Sequence, residues 1–190
     1  MVGSAPALTD APLDIWGVLR TGPPSPTLPE MHVRVLATAL DGLVAVGSEF
    51  PDASTLAVTL QAQATEGECL AAAIRRLPPA VSMLAWFDGV VPPANWPAAI
   101  TELSSELGSC DAALFAAPVT DAVKQVQDGR ICRGVARDGL CVPVPPLLIR
   151  APVARNGLLE HLDLGEDPIS ALSASGLTVR AVPLRTPVKL

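Results

Sequence analysis

Aromatic residues make up only 3% of this 190-residue chain, so its core has to be built from small and branched aliphatics. Basic residues are also scarce. There are 13 Lys and Arg against 19 Asp and Glu, for a formal net charge of −6, and no lysine precedes Lys124. Binding to a phosphate backbone rests on neutralising phosphates with cations, so this balance argues against a nucleic-acid partner. It leaves room for a pocket that takes one small anion, which needs only a few cations. No apolar run approaches the ~20 residues that cross a bilayer, and no basic segment followed by a long apolar stretch opens the chain as a signal peptide would. The expectation is a cytoplasmic protein with no membrane partner. Cys69, Cys110, Cys132 and Cys141 form no C-x-x-C pair and lie far from His32 and His161, which argues against zinc.

What is present is a core: 49% of residues are hydrophobic, enough for one domain of this length. Residues 1–12 read as a flexible N-terminus and 13–190 as a single domain. Leu13–Leu19, Leu43–Val46, Leu56–Leu60, Val81–Phe87, Ala112–Ala117 and Leu177–Val182 read as strands. Glu66–Leu77 reads as an amphipathic helix whose Arg75 and Arg76 suit its C-terminal end. Further helices are expected over Met31–Leu43, from Trp96, over Val153–Leu162 and over Asp167–Ser175. The prolines of Thr21–Glu30 exclude helix and central strand. Asp128-Gly129 signals a hairpin within about 119–142, with Pro143–Pro146 breaking it. Strands alternating with helices indicate an α/β fold with a mostly parallel sheet.

AALFAAPVTDAVK, over Ala112–Lys124, delivers Thr120, Asp121 and Lys124 just past the C-terminal end of a buried strand, where α/β sheets bind ligands. This stretch resembles the PVTDTIK segment of the 2-C-methyl-D-erythritol 4-phosphate cytidylyltransferases. LAWFDGVVP (Leu84–Pro92) resembles their VHDAARP-like motif. VARDGLCVPVPP (Val135–Pro146), LGEDPISAL (Leu164–Leu172) and TPVKL (Thr186–Leu190) follow in the family's order. The resemblance implies a Rossmann-like nucleotidyltransferase fold: a mostly parallel twisted sheet flanked by helices, with a protruding β-hairpin arm over about 119–142. In that family the arm clasps a second subunit, so the resemblance also implies a homodimer. The chemistry implied is CMP transfer from CTP to methylerythritol phosphate, with Mg²⁺ bridging phosphate oxygens.

Residue by residue, Asp88 falls on the family's metal-binding Asp, although an Asp-Gly turn needs no metal. Arg137 falls on the arm's substrate-phosphate Arg, although an exposed hairpin Arg is an equally plain reading. Lys189 falls on the Lys of the last strand, near phosphates. Arg137 and Lys189 are thus the catalytic candidates and Asp88 the metal ligand. Thr120, Asp121 and Lys124 match the substrate loop, with Ala122 replacing an expected Thr. Asp167 matches an Asp of the TDEAS element, with a helix N-cap as its plainer role.

Other parts of the family pattern are missing. Where the family has LAAGxGxR…PK, this chain has WGVLRTGPPSPTLPE, whose prolines offer no N–H to a triphosphate. Where the family contacts cytosine through Gly-Gly and Ser, this chain has Ala62, Gln63 and Cys69. Glu66 replaces the family's Arg. Two expectations follow: a diverged, catalytically impaired homologue acting in binding or regulation, or an active CTP-dependent nucleotidyltransferase with an unusual loop. Either expects a nucleotide or small phosphate ligand in the cleft. A different small ligand has no residue signature of its own, because core packing accounts for Met83, Trp86, Phe87 and Trp96.

Overall fold

The computed structural model describes residues 14–20, 40–46, 55–58, 64–87, 96–119, 123–136 and 138–184. The expected loop at 21–30, the N-terminal residues 1–12 and positions 31–39 of the helix expected over Met31–Leu43 lie outside them; that helix does not reach its expected end, because Leu40 and Asp41 form a bend and Gly42 and Leu43 open a strand.

Strands β1 (Ile15–Arg20), β2 (Gly42–Val46), β3 (Thr55–Val58), β4 (Met83–Phe87), β5 (Ala112–Pro118), β8 (Cys141–Arg150) and β9 (Val179–Pro183) form one seven-stranded sheet in the order β3-β2-β1-β4-β8-β5-β9. All neighbouring pairs are parallel except those of β8, which runs antiparallel to both β4 and β5. Every residue of β2 and β4 is buried, and so are six of the seven in β5. Continuous apolar runs of this kind are what a sheet covered on both faces demands.

The covering elements are α1 (Glu66–Arg76), α2 (Trp96–Leu107), a helical rod α3 over residues 151–163, and α4 (Pro168–Ala174). The rod α3 contains a π-helical turn at Ala154–Leu158. One core cluster joins Trp86, Leu114 and Leu147 of the sheet to Leu70 and Ile74 of α1, Leu158 and Leu162 of α3 and Leu172 of α4. The opposite cluster joins Phe87, Phe115 and Leu148 to Trp96, Ile100 and Leu103 of α2. Phe87 and Trp96 meet edge to face, with ring centroids 6.1 Å apart. The result is three layers, helix–sheet–helix.

The hairpin forms as the sequence indicates. β6 (Val123–Gln127) and β7 (Arg130–Val135) pair antiparallel as a separate two-stranded sheet. Asp128 and Gly129 both take positive φ (49° and 75°), the conformation of a type I′ turn. Lys124, Gln125 and Arg130 are exposed, and so is Ile131. One expectation is corrected. Pro143–Pro146 does not end the extended chain, because β8 runs through it. The register jumps from Leu114↔Leu147 to Phe115↔Val144, so Pro145 and Pro146 bulge out of the pairing with β5. Prolines suit this bulge because they have no N–H to leave unpaired.

Candidate functional site

The strand order reverses between β1 and β4, which makes their C-terminal ends a topological switch point where open α/β sheets bind ligands. Beside it, among the described residues, β4 and β8 pair from Met83↔Arg150 to Trp86↔Leu147, and β8 then bulges out of its pairing with β5 at Pro145 and Pro146. A cavity of about 360 Å³ opens there. Among the described residues its lining is Trp86, Leu114, Pro143, Val144, Pro145, Leu147, Pro168, Ile169, Glu66 and Asp167.

Two helix starts deliver the acidic groups. Thr65 caps α1 through a reciprocal box. Its Oγ1 accepts from the Glu68 amide at 3.2 Å, and its own amide donates to Glu68 Oε2 at 2.7 Å. Glu66 is therefore held as the first residue of the helix. Asp167 caps α4, its Oδ1 accepting from the amides of Ile169 and Ser170 at 3.1 Å each. Burial works to raise the pKa of Asp167, but hydrogen bonds from Ser170 and Ile169 outweigh it, and the carboxyl sits below its usual range. The N-cap role expected for Asp167 is thus observed. The two starts meet at Gly67, which packs against the Glu166 carbonyl. Close by, His161 Nδ1 and Glu166 Oε2 stand 3.7 Å apart.

Several arginines are committed elsewhere. Arg150 donates to the carbonyls of Cys110 (2.9 Å) and Gly108 (2.6 Å), closing the C-terminal end of α2. It lies opposite Met83, the first residue of β4, at the far end of that strand from Trp86. Arg155 donates to the carbonyls of Pro78 (2.6 Å) and Pro79 (3.3 Å), just past α1. Arg75 pairs with Asp163, and this hydrogen bond raises its pKa. Arg180 reaches Glu106 at 3.4 Å, and Arg133 reaches Gln125 at 2.6 Å. Among the described residues the charged groups lining the cavity are both carboxylates.

Of the residues singled out by sequence, Asp88, Thr120, Asp121, Arg137 and Lys189 lie outside the described residues. Lys124 is exposed on β6, opposite Gly134, and is not among the cavity residues. Glu66 and Asp167, far apart in sequence, do come together at the cavity. Trp86 lines it as well, while Met83, Phe87 and Trp96 belong to the core against α2. The capping box escaped the sequence reading, although Thr65-x-x-Glu68 is its signature. Among the described residues no three His, Cys, Asp or Glu side chains cluster as a metal site, and no helix is long and apolar enough to cross a membrane.

The sequence matches no protein-family model and no curated protein. The fold does match solved structures. A 4-diphosphocytidyl-2C-methyl-D-erythritol synthase superposes with TM-score 0.69 at 18% identity, over 94% of this chain and 93% of that one. The 4-diphosphocytidyl-2C-methyl-D-erythritol synthase of Anaerococcus prevotii gives TM-score 0.69 at 14% identity, over 94% and 90%. The 2-C-methyl-D-erythritol 4-phosphate cytidylyltransferase of Thermus thermophilus gives 0.66 at 14%, over 92% of each chain. The chain therefore has the fold of the methylerythritol phosphate cytidylyltransferases, as the sequence resemblance implied.

Proposed function

We propose that this chain is a diverged homologue of the methylerythritol phosphate cytidylyltransferases that no longer holds a nucleoside triphosphate and acts in binding or regulation. One observation carries the reading: the described wall of the cleft presents Glu66 and Asp167 and no cation. Glu66 stands where the family resemblance expects an Arg. Unit charges ~4 Å apart at an effective dielectric of ~20 interact by about 4 kcal/mol before screening. A carboxylate at that position withholds from a triphosphate the attraction a guanidinium would supply, which weakens binding. The proline-rich sequence after β1 points the same way, since it has few amides to offer phosphates. The arginines bound to carbonyls and carboxylates elsewhere add support.

We read the partner as a second copy of this chain, joined through the β6–β7 hairpin, in a cytoplasmic setting free of membrane and nucleic acid. Calorimetric titration with CTP and Mg²⁺ tests the main reading, together with pyrophosphate release in the presence of methylerythritol phosphate. The expected result is no saturable binding at micromolar CTP and no pyrophosphate. Micromolar binding or turnover overturns it. The chain would then be an active cytidylyltransferase, with Mg²⁺ on Asp88, Arg137 and Lys189 in catalysis, and Thr120, Asp121 and Lys124 on the substrate.

A further inference from the structure

The floor of the cavity is set by strand register. Trp86 of β4 pairs with Leu147 of β8, and Leu147 pairs in turn with Leu114 of β5. Residues directly opposite on neighbouring strands share a face, so these three side chains lie in one row across three strands. All three are buried, and all three belong to the core cluster that joins the sheet to α1, α3 and α4. Neighbouring strands lie about 4.8 Å apart, so the row runs roughly 10 Å. That is an apolar strip with the reach of a fused two-ring aromatic. The cavity over it, about 360 Å³, is of the size that takes small molecules.

The other walls withhold donors, and their acceptors are already in use. Pro143, Pro145 and Pro168 have no N–H to offer. Asp167 accepts from two amides of α4. Glu66 already interacts with a partner of its own. Among the described lining residues a cation therefore meets no uncommitted carboxylate, and an anion meets two carboxylates and no cation. Either charge would leave water without a counterpart, which is costly in an apolar space. An uncharged ring avoids that cost and gains the burial of its faces.

We infer that this cavity binds a flat, uncharged aromatic molecule of about two fused rings, one face against the row of Trp86, Leu147 and Leu114 and an edge toward Ile169 of α4. This rests on the binding role proposed above and gives that role a ligand class. Contact with the Trp86 indole and the aliphatic side chains holds the ring. No covalent step is involved.

The test uses the full chain and three probes that share one ring system and differ in charge: 3-methylindole, tryptamine and indole-3-acetate. Titration calorimetry at neutral pH is expected to show saturable binding of 3-methylindole below about 1 mM, within reach of a ligand this small. Tryptamine and indole-3-acetate should each bind at least about tenfold more weakly, because each carries a charge that the cavity does not pair. The Trp86 indole N–H resonance, identified by its loss in Trp86→Phe, should shift as 3-methylindole is added. That of Trp96, in the core against α2 on the opposite face, should stay in place. Ile169→Trp, which puts one of the chain's own rings into the cavity, should abolish binding while thermal unfolding confirms a folded chain. The inference is overturned if 3-methylindole does not saturate, if either charged probe binds as tightly, or if folded Ile169→Trp binds unchanged. A shift at Trp96 without one at Trp86 overturns it too. CTP binding in a parallel titration overturns the proposed function instead, so the two failures are distinguishable.

Discussion

Gly67 lies so close to Glu166 that a Cβ added to it would stand 2.2 Å from the Glu166 carbonyl oxygen and 3.1 Å from that of Leu162. Both obstacles are backbone, so neither can swing aside. This contact fixes where α1 begins relative to the turn leading into α4, and so sets Glu66 and Asp167 at the same cavity.

Gly67→Ala is therefore expected to cost about 1–3 kcal/mol of stability, the range for forcing extra volume into a packed site. Urea unfolding measures it. A change below about 0.5 kcal/mol would show that the junction yields easily. The same substitution at exposed Gly134, where the nearest atom to an added Cβ is the flexible Lys124 Nζ at 3.6 Å, serves as the control.

Asp167→Ala removes the acceptor for two amides and should cost about 1 kcal/mol, whereas Asp167→Asn should recover most of that. Acid titration separates the two residues further. The folded pKa of Asp167 lies below its ordinary value, so its protons bind more tightly to the unfolded chain. Its contribution is then complete above the unfolded value of about 3.9 and lost as pH falls through the folded one. The wild type should lose stability relative to Asp167→Asn below about pH 4. A stability difference between the two that stays constant through acid pH contradicts this.

Arg150→Ala strips the carbonyls of Gly108 and Cys110 of a charged donor. An expected loss of about 1.5–3 kcal/mol follows from the usual strength of hydrogen bonds to charged groups. Arg130→Ala, on the exposed hairpin turn, should stay within about 0.5 kcal/mol. Equal effects from both would mean that the C-terminal end of α2 does not depend on this guanidinium.

Ile131 leaves 69% of its surface exposed on β7. An isolated two-stranded sheet is marginal in water, so a dimer through the hairpin would give this side chain a covering. Sedimentation velocity at micromolar concentration should show a dimer, and Ile131→Glu should shift it toward monomer. A monomeric wild type sinks the dimer proposal.

Much of the fold was legible in the sequence. Runs such as MLAWF and AALFAA are continuous enough to mark strands buried on both faces, and Asp128-Gly129 marked the hairpin turn directly. Asp167 before Pro168 declared its own cap. The path of β8 was not legible, because the usual exclusion of proline from central strands does not foresee a two-residue bulge. The cavity was hidden for a related reason. It depends on the registers of β4 with β8 and of β8 with β5, which are non-local and which no short window encodes. Glu66 drew notice only as a mismatch to a family pattern, and its pairing with Asp167 needed the Gly67 junction. The sheet order was not read from the sequence either; the family resemblance implied only a mostly parallel sheet.

Glu66→Arg reverses the charge at the cleft wall where repulsion is assigned. It should raise affinity for CTP measurably above that of the wild type, even without turnover. An unchanged or lower affinity would place the barrier to nucleotide binding elsewhere.

The most direct measurement is the heat of CTP binding to the unmodified chain with Mg²⁺ present. With Glu66 and Asp167 as the charged groups on the described wall of the cleft, the account predicts a flat isotherm through the micromolar range. A saturable curve with a micromolar Kd would mean that guanidinium or amide groups do reach the triphosphate, and the account of an eroded nucleotide site would be wrong.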